Sequence, residues 1–400
     1  MKISSINQSI QREHNLSMAI EAIRRIPHCT RVKLAQVMGL SQAAVTKLVS
    51  QLIEWGAVSE QESIGNGLGR KATALRINTE KYRALAIHIN RDYINAAIYD
   101  MDGVLYDMEQ CEISASEGAQ ASMDRVIAMA RKLLSRNQTP VRCVGVAVPG
   151  PFHYSQSRIS MMSGFPGWEK INIRKTLEQA LLLPVFVDQD ANCGALAEMW
   201  FGGEDQPSSM IFVTADRGIG AGLILNSKIY RGRIGFAGEI GHTSIDLLGA
   251  RCECGNRGCL ELYGSSVALE NICCTEQYNP ANPDTMQARP NVKDILKQVR
   301  EGDPDACRAY AKTVSYLCFG IVGVINTLDP EVVVFGDRLV NGGSLFLETA
   351  KQTFQQYLMP EVYDHLQIKV CTLDGDPMLL GASVLAYDHV LRAPSEFFSA

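Results

Sequence analysis

The pattern of apolar and polar residues changes near residue 80. Before that point, apolar residues recur every three or four positions in short segments, which is the spacing of one face of an α-helix. The first such segment is residues 16–26, and Pro27 ends it. After residue 80, β-branched runs alternate with helical segments, as in an α/β fold. The sequence therefore predicts a helical N-terminal domain, residues 1–80, and an α/β domain, residues 81–400.

Two further short helices follow the first, joined by a tight turn. Thr30 is placed to cap the second helix, and Gly39 stands where a helix commonly ends in a left-handed conformation. Ser41 is placed to cap the third helix, which ends at Gly56. Two short helices joined in this way are typical of a DNA-binding helix-turn-helix, whose second helix enters the major groove. A three-helix packing module that binds no nucleic acid is the alternative.

The third helix supplies candidate DNA-contacting residues near its start. Gln and Thr side chains can hydrogen bond to base edges, whereas Lys47 is expected to contact a phosphate. The candidates are Ser41, Gln42, Ala43, Thr46 and Lys47.

A glycine-rich hairpin after the third helix resembles the wing of a winged helix. Its predicted strands are residues 57–60 and 72–78, and the tip between them is residues 65–71. Arg70 and Lys71 in that tip are placed to enter a narrow, A·T-rich minor groove. A solvated hairpin tip is the alternative for these two residues.

The α/β region begins with a predicted hairpin over residues 84–99. Periodicity predicts further helices at residues 121–135 and 171–182. Apolar runs predict further strands, which are residues 141–148, 185–187, 210–213 and 331–335. No internal repeat is apparent from the periodicity.

The charge distribution separates the two parts further. The whole chain has a net charge of −5, yet residues 1–80 hold ten Lys or Arg against six Glu and no Asp. A basic segment joined to an acidic body permits nucleic-acid binding by the segment. No uninterrupted apolar run approaches the roughly 20 residues of a membrane-spanning helix, and residues 1–12 lack the apolar core of a signal peptide. We expect a cytoplasmic protein without direct membrane insertion.

Three of the twelve cysteines are clustered between glycines. Cys252, Cys254 and Cys259 follow His242 at close range, and three thiolates with one imidazole would complete a tetrahedral zinc shell without an open position. Such a site would be structural. Three free thiols are the alternative. The other cysteines lie mostly singly in apolar segments and are expected to be buried thiols, as at Cys143, Cys193 and Cys318.

The segment that contains this cluster, residues 238–261, closely resembles the signature of the ROK family, which contains bacterial sugar kinases and repressors. Similarity covers nearly the whole chain and includes residues 147–150, 165–168, 187–192 and 325–330. An N-terminal winged helix on a ROK domain is the repressor arrangement in that family. The resemblance therefore implies a two-lobed, sugar-kinase-like domain of the actin/hexokinase type. It also implies a DNA-binding regulator of carbohydrate genes.

The resemblance implies roles for individual side chains. Zinc would be bound by His242, Cys252, Cys254 and Cys259. Sugar hydroxyls would be bound by Gln189, Asp190, Glu239, His242 and Glu261. In the kinases, the residue that matches Asp190 is the general base for the attacking sugar hydroxyl. Gln189 replaces the family's usual asparagine beside it, which leaves the identity of the sugar open.

The segments that hold phosphate in the family's kinases are altered here. The kinases have Asp-x-Gly-Gly-Thr where residues 88–92 are His-Ile-Asn-Arg-Asp, and Gly-Thr-Gly where Asp216 and Arg217 precede Gly218. A third, glycine-rich stretch is Phe-Gly-Asp-Arg at residues 335–338. Bulky and acidic side chains obstruct the approach of backbone amides to phosphate. We therefore expect no enzymatic activity and no catalytic residues; the alternative is a ROK-type ATP-dependent sugar kinase with an added DNA-binding or interaction domain.

The expected partners follow from the repressor arrangement. They are operator DNA, a sugar or sugar-phosphate effector, and a second copy of the chain, as a homodimer or tetramer. A ligand that prefers the arrangement unable to span two half-sites must weaken operator binding by linkage. The resemblance also allows a membrane transporter component to sequester the protein. Activation in place of repression stays open.

Overall fold

The computed structural model describes residues 8–62, 73–203, 206–277 and 290–398. Its α-helices are α1 Gln8–Arg25, α2 Arg31–Met38, α3 Gln42–Glu54, α4 Ala119–Arg136, α5 Ile173–Leu181, α6 Asp190–Phe201, α7 Glu261–Gly264, α8 Ser266–Gln277, α9 Val292–Glu301, α10 Pro304–Leu328, α11 Ser344–Tyr357, α12 Pro360–His365, α13 Pro377–Leu391 and α14 Pro394–Phe398. Its strands are β1 Val58–Glu62, β2 Thr73–Ile77, β3 Arg83–Ile89, β4 Tyr93–Tyr99, β5 Leu105–Glu112, β6 Val141–Val148, β7 Phe152–His153, β8 Arg158–Ile159, β9 Val185–Gln189, β10 Met210–Ala215, β11 Ile219–Leu225, β12 Lys228–Ile229, β13 Val332–Gly336 and β14 Gln367–Val370.

The N-terminal helices have the caps that the sequence predicts. The Thr30 hydroxyl accepts a hydrogen bond from the Lys33 amide at the start of α2, and Gly39 ends that helix at φ 64°. The Ser41 hydroxyl caps α3 in the same way. Helix α1 begins at Gln8, well before the predicted residue 16. The prediction missed these residues because residues 8–15 are almost entirely polar and carry no apolar periodicity.

Strands β1 and β2 pair antiparallel, with Val58 opposite Ile77, and so form the base of the predicted wing. The wing tip, with Arg70 and Lys71, lies outside the described residues. The described part of residues 8–77 is therefore three helices followed by a hairpin.

Two five-stranded sheets form the framework of the described residues that follow, together with helices and the short β7-β8 pair. In the first lobe the strand order is β5-β4-β3-β6-β9, and in the second it is β12-β11-β10-β13-β14. In each sheet, the first three strands in chain order pair antiparallel with their neighbours. The last two strands in chain order run parallel to the first. The two lobes thus repeat one topology, although periodicity indicates no repeat. Periodicity could not indicate this repeat, because apolar spacing does not record the order of strands in a sheet.

Helices α6 and α13 lie between the two sheets. Helix α6 packs on β10 and β11 of the second lobe, α13 packs on β3, β6 and β9 of the first, and the two helices pack on each other. Their approach is close, since a Cβ at Gly381 would lie 1.8 Å from the Cys193 carbonyl oxygen. A bulkier residue at Gly381 would push the two lobes apart.

The core of the N-terminal helices continues into the C-terminal ones. Leu16 and Leu52 are fully buried in one apolar cluster with Tyr387 and Phe398. The ring of Tyr82 joins them and lies 4.8 Å from that of Phe398. The end of the chain therefore packs against the helix-turn-helix region, although some three hundred residues separate them.

Helix α10 is, by length and composition, long and apolar enough to cross a membrane. Its side chains Tyr310, Leu317 and Ile321 are instead buried in the core of the second lobe. This burial explains its apolar composition, since the core helix of a globular protein has the same property.

Candidate functional site

The five residues predicted to bind sugar line one cleft between the lobes. Gln189 ends β9 and Asp190 begins α6, while Glu239 and His242 lie in the loop after β12 and Glu261 begins α7. The cleft therefore forms where the ends of elements from both lobes meet. This is the usual place for a ligand in an open α/β architecture.

Hydrogen bonds fix the carboxylates of the cleft. Gln189 Nε2 donates to Glu239 Oε1 at 2.6 Å, and the Ile219 amide donates to Glu261 Oε2 at 3.2 Å. Burial raises the pKa of Asp190. Burial, together with the nearby Asp190 carboxylate, also raises the pKa of Glu239 to about 8. A partly protonated Glu239 can donate a hydrogen bond to a hydroxyl as well as accept one.

Arg91 occupies part of this cleft. Its Nη2 lies 3.8 Å from Glu261 Oε2, across the gap between the lobes. It also lies against Gly218, because a Cβ at that glycine would be 2.8 Å from the same nitrogen. The free volume of the cleft is about 50 Å³, which holds roughly four water molecules. A hexose therefore fits only if Arg91 withdraws or the lobes separate.

Ion pairs join the segments whose resemblance to kinase phosphate loops is noted above. Asp92 and Arg217 pair at 3.8 Å between the two lobes, and Asp216 pairs with Arg338 at 3.3 Å within the second lobe. The first pair is about half exposed, whereas Asp216 is buried. Side chains of this protein thus occupy space at the rim and floor of the cleft.

Asp337 has a backbone conformation that is suited to glycine. Its φ is 72° and its ψ is −166°, a region that residues with a Cβ adopt only with strain. Burial, followed by the nearby Asp216 carboxylate, also raises the pKa of Asp337. A strained backbone and a half-buried carboxyl group therefore coincide beside the cleft.

His88, the first residue of the altered segment at residues 88–92, is buried. Its Nδ1 is 2.8 Å from Asp376 Oδ2, and Asn95 Nδ2 donates to the same oxygen at 2.9 Å. Burial alone would lower the pKa of His88, but the Asp376 carboxylate raises it above its usual value. The Asp376 carboxylate therefore favours the protonated form of the imidazole.

The four predicted metal ligands converge at one point. The donor atoms of His242, Cys252, Cys254 and Cys259 all lie within 4.8 Å of one another. Cys254 Sγ and Cys259 Sγ are 3.6 Å apart, and His242 Nδ1 is 3.7 Å from Cys252 Sγ. Tetrahedral zinc with Zn–S bonds of about 2.3 Å requires sulfur separations of about 3.8 Å. The donor set and its spacing fit zinc.

The cysteine loop, residues 242–261, depends on one glycine in particular. Gly258 has φ 61°, and a Cβ there would lie 1.8 Å from the Asp246 carbonyl oxygen. Burial and the neighbouring thiols raise the pKa of Cys259 to about 12. A cation at the centre would reverse this effect, because a metal binds the thiolate form.

The candidate DNA-contacting residues are exposed at the start of α3. Ser41, Gln42, Ala43, Thr46 and Lys47 are all exposed, whereas Val45 and Val49 are buried. The Thr46 hydroxyl donates to the Gln42 carbonyl oxygen at 2.7 Å, which leaves its lone pairs free to accept. Ala44, which periodicity counts among the apolar positions, is exposed as well.

One buried ion pair was not identified from the sequence. Asp188 Oδ2 accepts from Arg231 Nε at 2.6 Å, and Asp188 Oδ1 accepts from Asn192 Nδ2 at 2.8 Å. Asp188 directly precedes Gln189 and so supports the wall of the cleft. Its position in the motif at residues 187–192 is a signal for Asp188, but no local pattern indicates Arg231.

The comparisons with known proteins agree with this geometry. The ROK family model matches residues 84–389. The xylose repressor of Caldicellulosiruptor bescii is 27% identical over 97% of this chain and 99% of its own length. A glucokinase of Halalkalibacterium halodurans is 31% identical over 67% of this chain and 83% of its own length.

Among solved structures, the chain is similar to a ROK family transcriptional regulator described as a homologue of the E. coli MLC protein. The TM-score is 0.82 at 22% identity, over 98% of this chain and 100% of the other. This similarity shows that the two share a fold along their whole length, including the N-terminal helices.

Proposed function

This chain belongs to the ROK family, and from that premise we propose that it is a DNA-binding transcriptional repressor of carbohydrate genes, controlled by a sugar. The observation that carries the proposal is the extent of similarity. The xylose repressor matches 97% of the chain, whereas the glucokinase matches 67%. The additional matched part includes the N-terminal helices. A sugar kinase has no need of a helix-turn-helix, whereas a repressor requires a DNA-binding element, and a helix-turn-helix is a common one.

We assign DNA binding to residues 1–80 and sugar binding to residues 81–400. The exposed face of α3 would enter the major groove, with Gln42 and Thr46 at base edges and Lys47 at a phosphate. Arg70 and Lys71 are proposed as minor-groove contacts of the wing. A symmetric homodimer would bind two half-sites about one helical turn apart, in the cytoplasm.

The cleft is the proposed sugar site. Gln189, Asp190, Glu239, His242 and Glu261 supply carboxylate, amide and imidazole groups that can pair with several hydroxyls. We propose a structural zinc ion at His242, Cys252, Cys254 and Cys259, where it would hold His242 in place through Nδ1. The opposite side of the ring can then face the sugar.

We propose that nucleotide does not bind. Arg91 lies against Gly218, and Arg338 pairs with Asp216, so side chains obstruct two of the places where kinase backbone amides approach phosphate. Asp190 would then bind a hydroxyl without acting as a base. The kinase alternative rests on the 31% identity to the glucokinase. Hexose-dependent consumption of ATP at ordinary enzymatic rates, abolished by Asp190→Asn, would favour that alternative.

The test is selective binding to DNA. Fluorescence anisotropy would compare DNA from upstream of the protein's own gene with a shuffled duplex of equal composition. We expect preference for the natural DNA. Lys47→Ala should weaken binding to both duplexes and reduce the salt slope by about one, while Gln42→Ala should reduce the preference. Lys175→Ala, at an exposed lysine on the body, is the control. Equal affinity for both duplexes at moderate salt would refute the proposal.

A further inference from the structure

A second cavity lies between the helix-turn-helix region and the body. It is bounded by α1, by the C-terminal end of α6, by the turn before β12 and by α13. Its volume is about 600 Å³, within the range of about 300–1,000 Å³ that is usual for small-molecule sites. It is separate from the sugar cleft, since the two have no lining residue in common.

Positive charge dominates this interdomain cavity. Its basic side chains outnumber the acidic ones, Glu21 and Asp388. The basic residues are Arg24, Arg25, Lys228, Arg231 and Arg392. The sugar cleft has the opposite character, because its five carboxyl groups outnumber its two arginines, Arg91 and Arg217. A dianion is therefore favoured in the cavity rather than in the cleft.

Three of the five cations already have carboxylate partners. Arg25 pairs with Glu21 at 2.8 Å and Arg392 pairs with Asp388 at 2.6 Å, while Arg231 is bound to the Asp188 carboxylate. Within the described residues, Arg24 and Lys228 form no ion pair. The cavity therefore retains two uncompensated positive charges, one from each side of the boundary between α1 and the body.

Arg24 is the more buried of these two residues. Its guanidinium carbon lies 3.9 Å from the centre of the Trp200 ring, and its Nε has no hydrogen-bond acceptor. The indole Nε1 of Trp200 lacks an acceptor as well. Burial and the adjacent Arg25 lower the pKa of Arg24 to about 10. A bound anion would supply the missing negative charge.

We propose that the interdomain cavity binds the phosphoryl group of a small phosphorylated metabolite. Arg24 and Lys228 would bind the phosphoryl oxygens from opposite sides, because a guanidinium and an ammonium are the groups that proteins use for phosphate. Leu196, Met199 and Leu391 form an apolar part of the wall against which the rest of the molecule can pack. The protein would then have an anion site in addition to its sugar cleft.

Calorimetric titration of the full chain tests this inference. The probes are inorganic phosphate, glucose 6-phosphate and glucose, with chloride used to keep the ionic strength constant. We expect both phosphates to bind at one site per chain. Tighter binding of glucose 6-phosphate would identify a phosphorylated sugar as the ligand class, and equal binding would identify free phosphate. Glucose itself should bind only in the cleft.

Variants locate the site. Arg24→Gln should weaken phosphate binding about ten-fold or more, and the exposed Lys228→Gln about three-fold. Arg12→Gln is the matched control, because Arg12 is exposed on the same helix outside the cavity. Asp190→Asn should reduce sugar binding and leave phosphate binding unchanged. If Arg24→Gln does not fold, the phosphate affinity of Lys228→Gln tests the location of the site.

Absence of phosphate binding in the millimolar range would overturn the inference. So would wild-type affinity in both cavity variants, or loss of phosphate binding in Asp190→Asn, which would place the anion in the cleft. No DNA is present in this experiment. Failure of the proposed repressor function would therefore appear in the operator measurement alone and would not change this result.

Discussion

Arg91 occupies space in the proposed sugar cleft. It extends from the first lobe to Glu261 of the second and lies over Gly218. The resemblance to the kinase motif implied that an arginine replaces a glycine at this point. It did not show where the side chain goes, because a long side chain on a turn can adopt many rotamers and only the tertiary structure selects among them.

Removal of this arginine should improve sugar binding. In Arg91→Ala the cleft no longer contains the guanidinium, so a sugar need not displace it from Glu261. We expect about ten-fold tighter binding, equal to about 1.4 kcal/mol, measured by calorimetry with the sugar that binds wild type best. Arg233→Ala, at an exposed arginine outside the cleft, should leave the affinity unchanged. Weaker binding in Arg91→Ala would mean that Arg91 contacts the sugar directly.

Asp337 should reduce the stability of the fold. Asp337→Gly places a residue without a Cβ at φ 72° and also removes a carboxyl group whose pKa burial raises. We expect the free energy of unfolding in urea to increase by about 1 kcal/mol, after the greater freedom of glycine in the unfolded chain is subtracted. Asp374→Gly, at an exposed aspartate with ordinary φ, should decrease it. A decrease in Asp337→Gly would show that the strain is offset by contacts of its carboxylate.

Local chemistry was the most predictable part of the sequence. The caps at Thr30 and Ser41 and the left-handed Gly39 depend on hydrogen bonds within three or four residues, and all three were predicted. The cysteine cluster was predictable because its three cysteines also lie close together in the sequence. Arg231 was not, because its partner Asp188 lies more than forty residues earlier in the chain and no local spacing connects them.

At the scale of elements, the proposed zinc ion should act as a local cross-link within the cysteine loop. The described residues of the loop contain little regular structure beyond two isolated bridges, Ser244 with Cys259 and Arg251 with Arg257. A metal would therefore supply much of its rigidity, and through His242 it would also support one wall of the cleft.

Loss of one thiolate should open this site. Cys254→Ser is expected to release most of the bound zinc, as measured by mass spectrometry of the metal, and to lower the free energy of unfolding by roughly 3 kcal/mol. Cys307→Ser, at a half-buried cysteine on α10, should retain the metal. If purified wild type contains no zinc and Cys254→Ser unfolds like wild type, the cluster is only a group of thiols.

Element boundaries were predicted best where one face is buried. Strand β6 has the predicted bounds because its central residues are enclosed by the sheet and by α13. The start of α1 was missed because its first eight residues bury almost no apolar surface. The repeated strand order of the two lobes was missed as well. Two lobes can form the same topology from sequences with different apolar spacing, so no repeat in the spacing indicates it.

At the scale of the molecule, α6 connects the cleft to the helix-turn-helix region. It begins at Asp190 in the cleft and ends at Phe201, beside the contact of Trp200 with Arg24 of α1. A helix of this length spans about 18 Å and moves as a rigid body. A sugar that changes the separation of the lobes would therefore also shift the surface on which α1 packs. This arrangement could not be predicted from the sequence, because it depends on how distant segments pack.

The central claim is that occupation of the cleft controls binding of DNA, and the most direct measurement is operator affinity with and without sugar. Xylose and glucose are the first sugars to test, and Asp190→Asn is the matched control. We predict that a saturating sugar weakens operator binding of wild type by at least about five-fold, that operator weakens sugar binding by the same factor, and that Asp190→Asn shows neither effect. Operator affinity that does not change when calorimetry shows the cleft to be occupied would contradict the account.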